Sequence, residues 1–302
     1  MVLRYVSKLC WIVLTLYHLG HGGASTFGTP HFLSLLSGSD DQSYFGSRLD
    51  YEFMLFACRV VGVAQILLGL AAFALGDSKF CYTAQIVGLA AGSASQKPNV
   101  DLFKLSAKGT LTKTHAEGLD MSVYASAAFL GVAVLGFLCT GAKNDAAVPR
   151  SKNLLVRAIL FFTVALGAVS GAWQMLDAVQ FFRVLGNGLD ISKMPPTTLG
   201  SLSLLFSNGG GFGLSFHMIV YMLKPTRNAI VLCVLAALAN LLIGVYTMHK
   251  LESTLETSVQ LSQFINVCRV GGYISGCFLL LQSVAFALAN TKSSALLEKK
   301  TQ

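Results

Sequence analysis

The chain has 302 residues, 54% of them hydrophobic and 12% charged, with a mean hydropathy of +0.63. A soluble domain carries roughly 25% charged residues, so this chain cannot cover itself with a solvated surface, and a water-soluble globule is excluded. The net charge of +8 needs no nucleic-acid partner, because a membrane protein gathers such an excess on one side.

In hydrocarbon every backbone N–H and C=O must be paired, which leaves helices or a closed barrel. Barrel strands alternate apolar and polar residues. The apolar runs here do not alternate. The expected fold is an all-α membrane protein, a polytopic bundle of about eight transmembrane helices. If its halves are a duplication, it is two parallel four-helix units.

The first predicted span is 6–25, with its most apolar part from Leu9 to Leu19. Basic residues before it and Gly22-Gly23-Ala24 after it resemble a signal peptide; it is read as a retained first span. The joint Gly22–Asp50 carries a short apolar piece, Phe32–Leu36, expected to lie along the interface. The second span is 53–75. The third, 81–96, is short and rich in Gly, Ala and Ser. The fourth is 121–141. A polar joint with Pro149 follows, and it divides the chain into a first unit at 1–141, a joint at 142–152, a second unit at 153–290 and a polar tail at 291–302.

In the second half the spans are 154–176, 199–223, 228–248 and 264–289. The helix after 154–176 is expected to continue through Phe181–Phe182, leaving Asp177 at the interface beside Trp173. Trp173 and Tyr17 read as interfacial belt aromatics. Each half has a span, a longer joint, a span, a short joint and two more spans. With four spans per half, a repeat is parallel and not inverted. This layout puts twelve Lys and Arg on the side of the termini against eight on the other. Both ends are therefore expected on the same, positive side.

Arg59, in Cys58-Arg59-Val60-Val61-Gly62, and Arg269, in Cys268-Arg269-Val270-Gly271-Gly272, are the sharpest chemical signals. Each falls about 8–9 Å inside the apolar region at 1.5 Å per residue. A charge there must pair, snorkel or face a cavity. Glu52 lies two turns before Arg59 and is placed to neutralise it. The bland reading is snorkelling; the sharper one is an anion or lipid-headgroup site of Arg59, Arg269 and Glu52; a transport or proton route is the third. The sixth span contains Ser207-Asn208-Gly209-Gly210-Gly211-Phe212-Gly213. Such glycines most simply let helices approach closely. Alternatively they break the helix, leaving a solute site at Asn208, Gly209, Gly210, Gly211 and His217.

The seven cysteines form no CxxC pair and read as small core hydrophobes; no metal site is expected. Haem ligation would need His217 with His18, at different depths, and no cofactor is expected. P-loop, HExxH and nucleophile-elbow patterns do not occur, so no enzyme is expected. Nor does an N-x-Ser/Thr sequon, which weighs against a glycosylated surface protein. The function expected is a non-catalytic accessory subunit of a larger membrane complex. The setting expected is a respiratory-type energy-transducing membrane, the mitochondrial inner membrane, with other membrane subunits and phospholipids as partners. The alternatives are a small-solute transporter of two four-helix repeats and a lipid-binding membrane protein.

Overall fold

Each apolar run folds as one long helix. The computed structural model describes residues 2–37, 42–106, 112–141, 154–223, 227–256 and 258–301. Among them there are ten α-helices and no strands. They are α1 (Val2–Phe27), α2 (Thr29–Ser37), α3 (Arg48–Leu75), α4 (Lys79–Ser106), α5 (Lys113–Cys139), α6 (Leu154–Leu176), α7 (Ala178–Leu185), α8 (Pro196–Met222), α9 (Arg227–Thr254) and α10 (Val259–Thr301). The joint expected at 142–152 lies outside the described residues. The backbone of the expected tail continues α10 as far as Thr301.

Local sequence sets the helix ends. Ser47 and Asp50 form a reciprocal capping box at the start of α3, each satisfying an N–H that the first turn cannot. Gly76 ends α3 at φ 79°, a backbone region that costs glycine nothing. Asp177 corrects an expectation. It does not ride inside a continued helix but caps α7, accepting from the Gln180 N–H at 2.9 Å. Asp is a strong N-cap former, so the chain turns there, and Phe181 and Phe182 are buried in the core. Tyr17 stacks on Phe129 of α5 with centroids 3.5 Å apart.

Six helices are long and apolar enough to cross a membrane: α1, α3, α5, α6, the Arg227–Ser253 part of α9 and the Val259–Ala289 part of α10. That fits an integral membrane protein. It is two fewer than the eight expected, and the shortfall has a physical cause. α4 and α8 are as long, at 28 and 27 residues, but Gly, Ser and Gln dilute their apolarity. α8 is sheathed by α3, α4 and α6, and most of its length is buried. Its small and polar residues therefore meet protein, where small side chains promote close packing.

The neighbours repeat between halves. α1 packs on α3 and α5, and α5 on α4; α6 packs on α8 and α10, and α10 on α9. Across the halves, α3 packs on α8 and α9, and α8 on α3 and α4. In each half a short helix, α2 or α7, and a 3-10 turn, Gln42–Phe45 or Ile191–Lys193, precede the second long helix. α3 and α8 begin at Arg48 and Pro196, α4 and α9 at Lys79 and Arg227, so the displacement is the same for both pairs. The first and second long helices cross at glycines in both halves. A Cβ on Gly22 would meet the Gly62 carbonyl at 2.7 Å, and one on Gly171 would meet that of Gly210 at 2.8 Å.

Polar groups tie the first half together. His18 is fully buried and bonds Gln85 at 3.1 Å, and His21 bonds Gln65 at 2.7 Å. At the end where α1 begins, Tyr82 donates to the Ser7 carbonyl at 2.6 Å, and the Ser7 hydroxyl donates to Asp77. This clamp joins α1 to the α3–α4 joint and α4. Tyr82→Phe is expected to lower stability by about 1 kcal/mol, the usual worth of one such bond, read as a fall in the thermal midpoint of the detergent-purified protein.

Candidate functional site

A cavity of about 280 Å³ lies between α6, α7, α8, α9 and α10 of the second half and α3 of the first. Along α8 its wall is Phe206, Gly209, Gly213, Phe216 and His217, which recur on one face at helical spacing. The stretch from Phe206 to His217 rises about 16 Å at 1.5 Å per residue. One end is closed by aromatic rings. Phe182 lies 4.3 Å from Phe206 and 5.6 Å from Phe53, centroid to centroid, and Phe53 lies 4.6 Å from Phe264. Towards the other end stand His217 and Thr163; Thr163 accepts from Gln282 at 2.9 Å.

Glycines make the space. The His217 ring lies where a side chain on Gly167 would have to go, so α6 can offer no larger residue there. In the first half the matching positions carry Leu19 against Gly69, with the larger residue on the other helix. A Cβ on Gly213 or Gly271 would meet nothing within 4 Å, so two of the lining positions open directly onto empty space. Among the described residues no lining residue is charged. The polar ones include Ser170, Gln174, Asn240, Ser275 and His217. Asn240 donates to the Ala236 carbonyl of its own helix at 2.8 Å. The His217 Nδ1 is buried without a hydrogen-bond partner. A mostly apolar wall with a few convergent polar groups is the usual make-up of a small-molecule pocket, and the volume is at the lower edge of the usual range of roughly 300–1,000 Å³.

The residues nominated from sequence are dispersed. α8 is continuous from Pro196 to Met222, so the glycine run does not break the helix. Its three glycines face three neighbours. A Cβ on Gly209 would meet Val61 of α3 at 2.9 Å, one on Gly210 would meet the Gly171 carbonyl of α6 at 2.5 Å, and one on Gly211 would strike the Gly88 carbonyl of α4. Of the alternative site, Gly209 and His217 line the cavity. Asn208 does not: its Oδ1 accepts from Gln96 of α4 and, at 3.4 Å, from Ser126 of α5. Nine residues separate Asn208 from His217, and they serve different halves.

Glu52 does not neutralise Arg59. Both its oxygens accept from the Lys250 Nζ of α9, each at 2.7 Å. Seven residues along a helix is about 10 Å, whereas the end of α9 brings Lys250 directly alongside Glu52. Arg59 lies over the Tyr246 ring with its Cζ 5.6 Å from the centroid, and its Nη1 is buried and unpartnered. Arg269 is exposed on α10. Cys10, Cys58, Cys81, Cys233 and Cys268 are free and buried, and no cluster that could hold a metal ion occurs among the described residues. Sequence reasoning missed Lys250, Gly167 and the α6 and α10 polar residues of the cavity, which no local pattern marks.

Compared with protein families, curated proteins and solved structures, the chain matches none of them.

Proposed function

We propose that the chain is an eight-span membrane protein of two parallel four-helix units that carries a small, uncharged, largely apolar solute in the cavity between its second unit and α3. One observation carries the reading: among the described residues the cavity has no charged lining, and His217, whose Nδ1 is buried and unpartnered, stands in its wall. A buried polar atom without a partner costs about 1–3 kcal/mol, which a hydroxyl or carbonyl on an otherwise apolar solute would recover. The repeated neighbours and the repeated glycine crossings support two units. α4 and α8 count as spans because they run the length of the helices they pack between. Both termini then share a side, as the charge bias suggests.

The test is to fill the cavity without disturbing the backbone. Gly213→Phe adds its ring where a Cβ meets nothing within 4 Å, and it removes a glycine that costs a helix roughly 1 kcal/mol. Stability is expected to hold or rise. Binding of small neutral solutes, measured by a library thermal-shift screen on the wild type followed by proteoliposome uptake, is expected to disappear in the variant. Uptake unchanged in a folded Gly213→Phe protein would refute the carrier reading. Wild type that shows no solute effect and is stable only with other membrane subunits bound would return the chain to the accessory role.

A further inference from the structure

We infer that Arg59 is an oxyanion site, holding the phosphate or carboxylate head of a membrane lipid in the seam between α3 and α9. This site stands apart from the cavity reading and survives its failure.

Four observations lead to it. First, the Arg59 guanidinium has no hydrogen-bond or ion-pair partner among the described residues, and its Nη1 is fully shielded. Second, the carboxylate that the sequence offers it is taken, since both oxygens of Glu52 are held by Lys250. Glu52, Lys250 and Arg59 together carry one positive charge more than they balance. Third, Tyr246 gives Arg59 an aromatic face at 5.6 Å. A ring face attracts a cation by about 0.5–1 kcal/mol at an exposed site, but it accepts none of the five N–H groups in the plane of the fork. Fourth, Tyr246 is 57% exposed on an apolar span, so the seam opens towards lipid.

A charged group at this depth is costly unless it is paired or reaches water, and the burial of Nη1 shows that it has not wholly snorkelled out. The guanidinium fork matches two oxygens of a phosphate or carboxylate at once. Oxyanions reach such a seam from the bilayer, as lipid headgroups, or from water, as free phosphate. The chemistry is shared, and the lipid-facing side of Tyr246 favours the bilayer. Arg269, exposed on α10, has no part in the site.

The experiment is native mass spectrometry of the full chain released from micelles doped with phosphatidic acid, oleic acid or phosphatidylcholine, with inorganic phosphate as competitor. Wild type is expected to retain phosphatidic acid or oleate about tenfold more than phosphatidylcholine, the ratio set by one charge-assisted hydrogen bond. Arg59→Gln is expected to lose that preference and Arg269→Gln to keep it. Displacement by inorganic phosphate in wild type, absent in Arg59→Gln, would confirm the oxyanion while assigning it a soluble source. If Arg59→Gln fails to fold, Tyr246→Leu and Arg59→Lys replace it, and both are expected to weaken retention. Retention by the Arg59 variants equal to wild type, or no preference for anionic lipid in wild type, overturns the site.

Discussion

Gly211→Val is expected to be among the most damaging substitutions, separating α8 from α4 and costing about 3 kcal/mol, the upper end for overpacking a filled core. The obstacle is backbone. A Cβ on Gly211 would overlap the Gly88 carbonyl and approach the Gly92 Cα at 3.4 Å, and a Cβ on Gly88 would in turn overlap Ser215 and the Gly211 carbonyl. No rotamer change relieves a clash with a carbonyl, so the two helices must move apart. That movement would strip the Ser215 hydroxyl from the Ala84 carbonyl, to which it now donates at 2.8 Å. It would also pull Asn208 from Gln96. Two residues away on the same helix, Gly213→Val meets nothing within 4 Å and is expected to be neutral or stabilising. Thermal unfolding of both variants in one detergent checks the contrast. Equal midpoints for Gly211→Val and Gly213→Val would show that α4 and α8 are not in contact at these glycines.

That pair of substitutions also shows how far the sequence could be read. A run of small residues in an apolar span announces close packing or a break, and both were open because the neighbours are unknown from sequence. The choice was made by Val61, Gly171 and Gly88, which lie on three different helices. Long helices were legible because hydropathy does not depend on partners. The true length of α4 was not, since Gln96 with Lys97-Pro98-Asn99 after it reads as a polar end until Asn208 is seen to bond Gln96. His217 was legible as the deepest histidine, but the cavity beside it is a deficit of side-chain volume shared by several helices, and no stretch of sequence carries that signal. The halt of α6 at Asp177 was legible in principle: an Asp after an apolar run is a capping residue as readily as an interfacial one.

Glu52 and Lys250 provide the second large effect, and it is asymmetric. The Glu52 side chain is 8% exposed and that of Lys250 30%, so the pair lies between a surface bridge, worth roughly 0–1 kcal/mol, and a buried one, which costs roughly 3–5 kcal/mol to break from one side. Lys250→Ala strands the more buried carboxylate and is expected to cost about 3 kcal/mol. Glu52→Ala takes this carboxylate from a lysine whose long stem can carry its charge outwards, and it is expected to cost about 2 kcal/mol. The double replacement Glu52→Leu with Lys250→Leu removes both charges from an apolar setting and is expected to recover most of the loss, as buried pairs replaced by hydrophobes commonly do. A thermodynamic cycle on detergent-solubilised protein measures all three. The order matters for Arg59 as well, because it depends on Glu52 being committed to Lys250. If Glu52→Ala instead proved more damaging than Lys250→Ala, and Arg59→Gln relieved the difference, the carboxylate would be shared between both cations, and Arg59 would no longer need an anion from outside the chain.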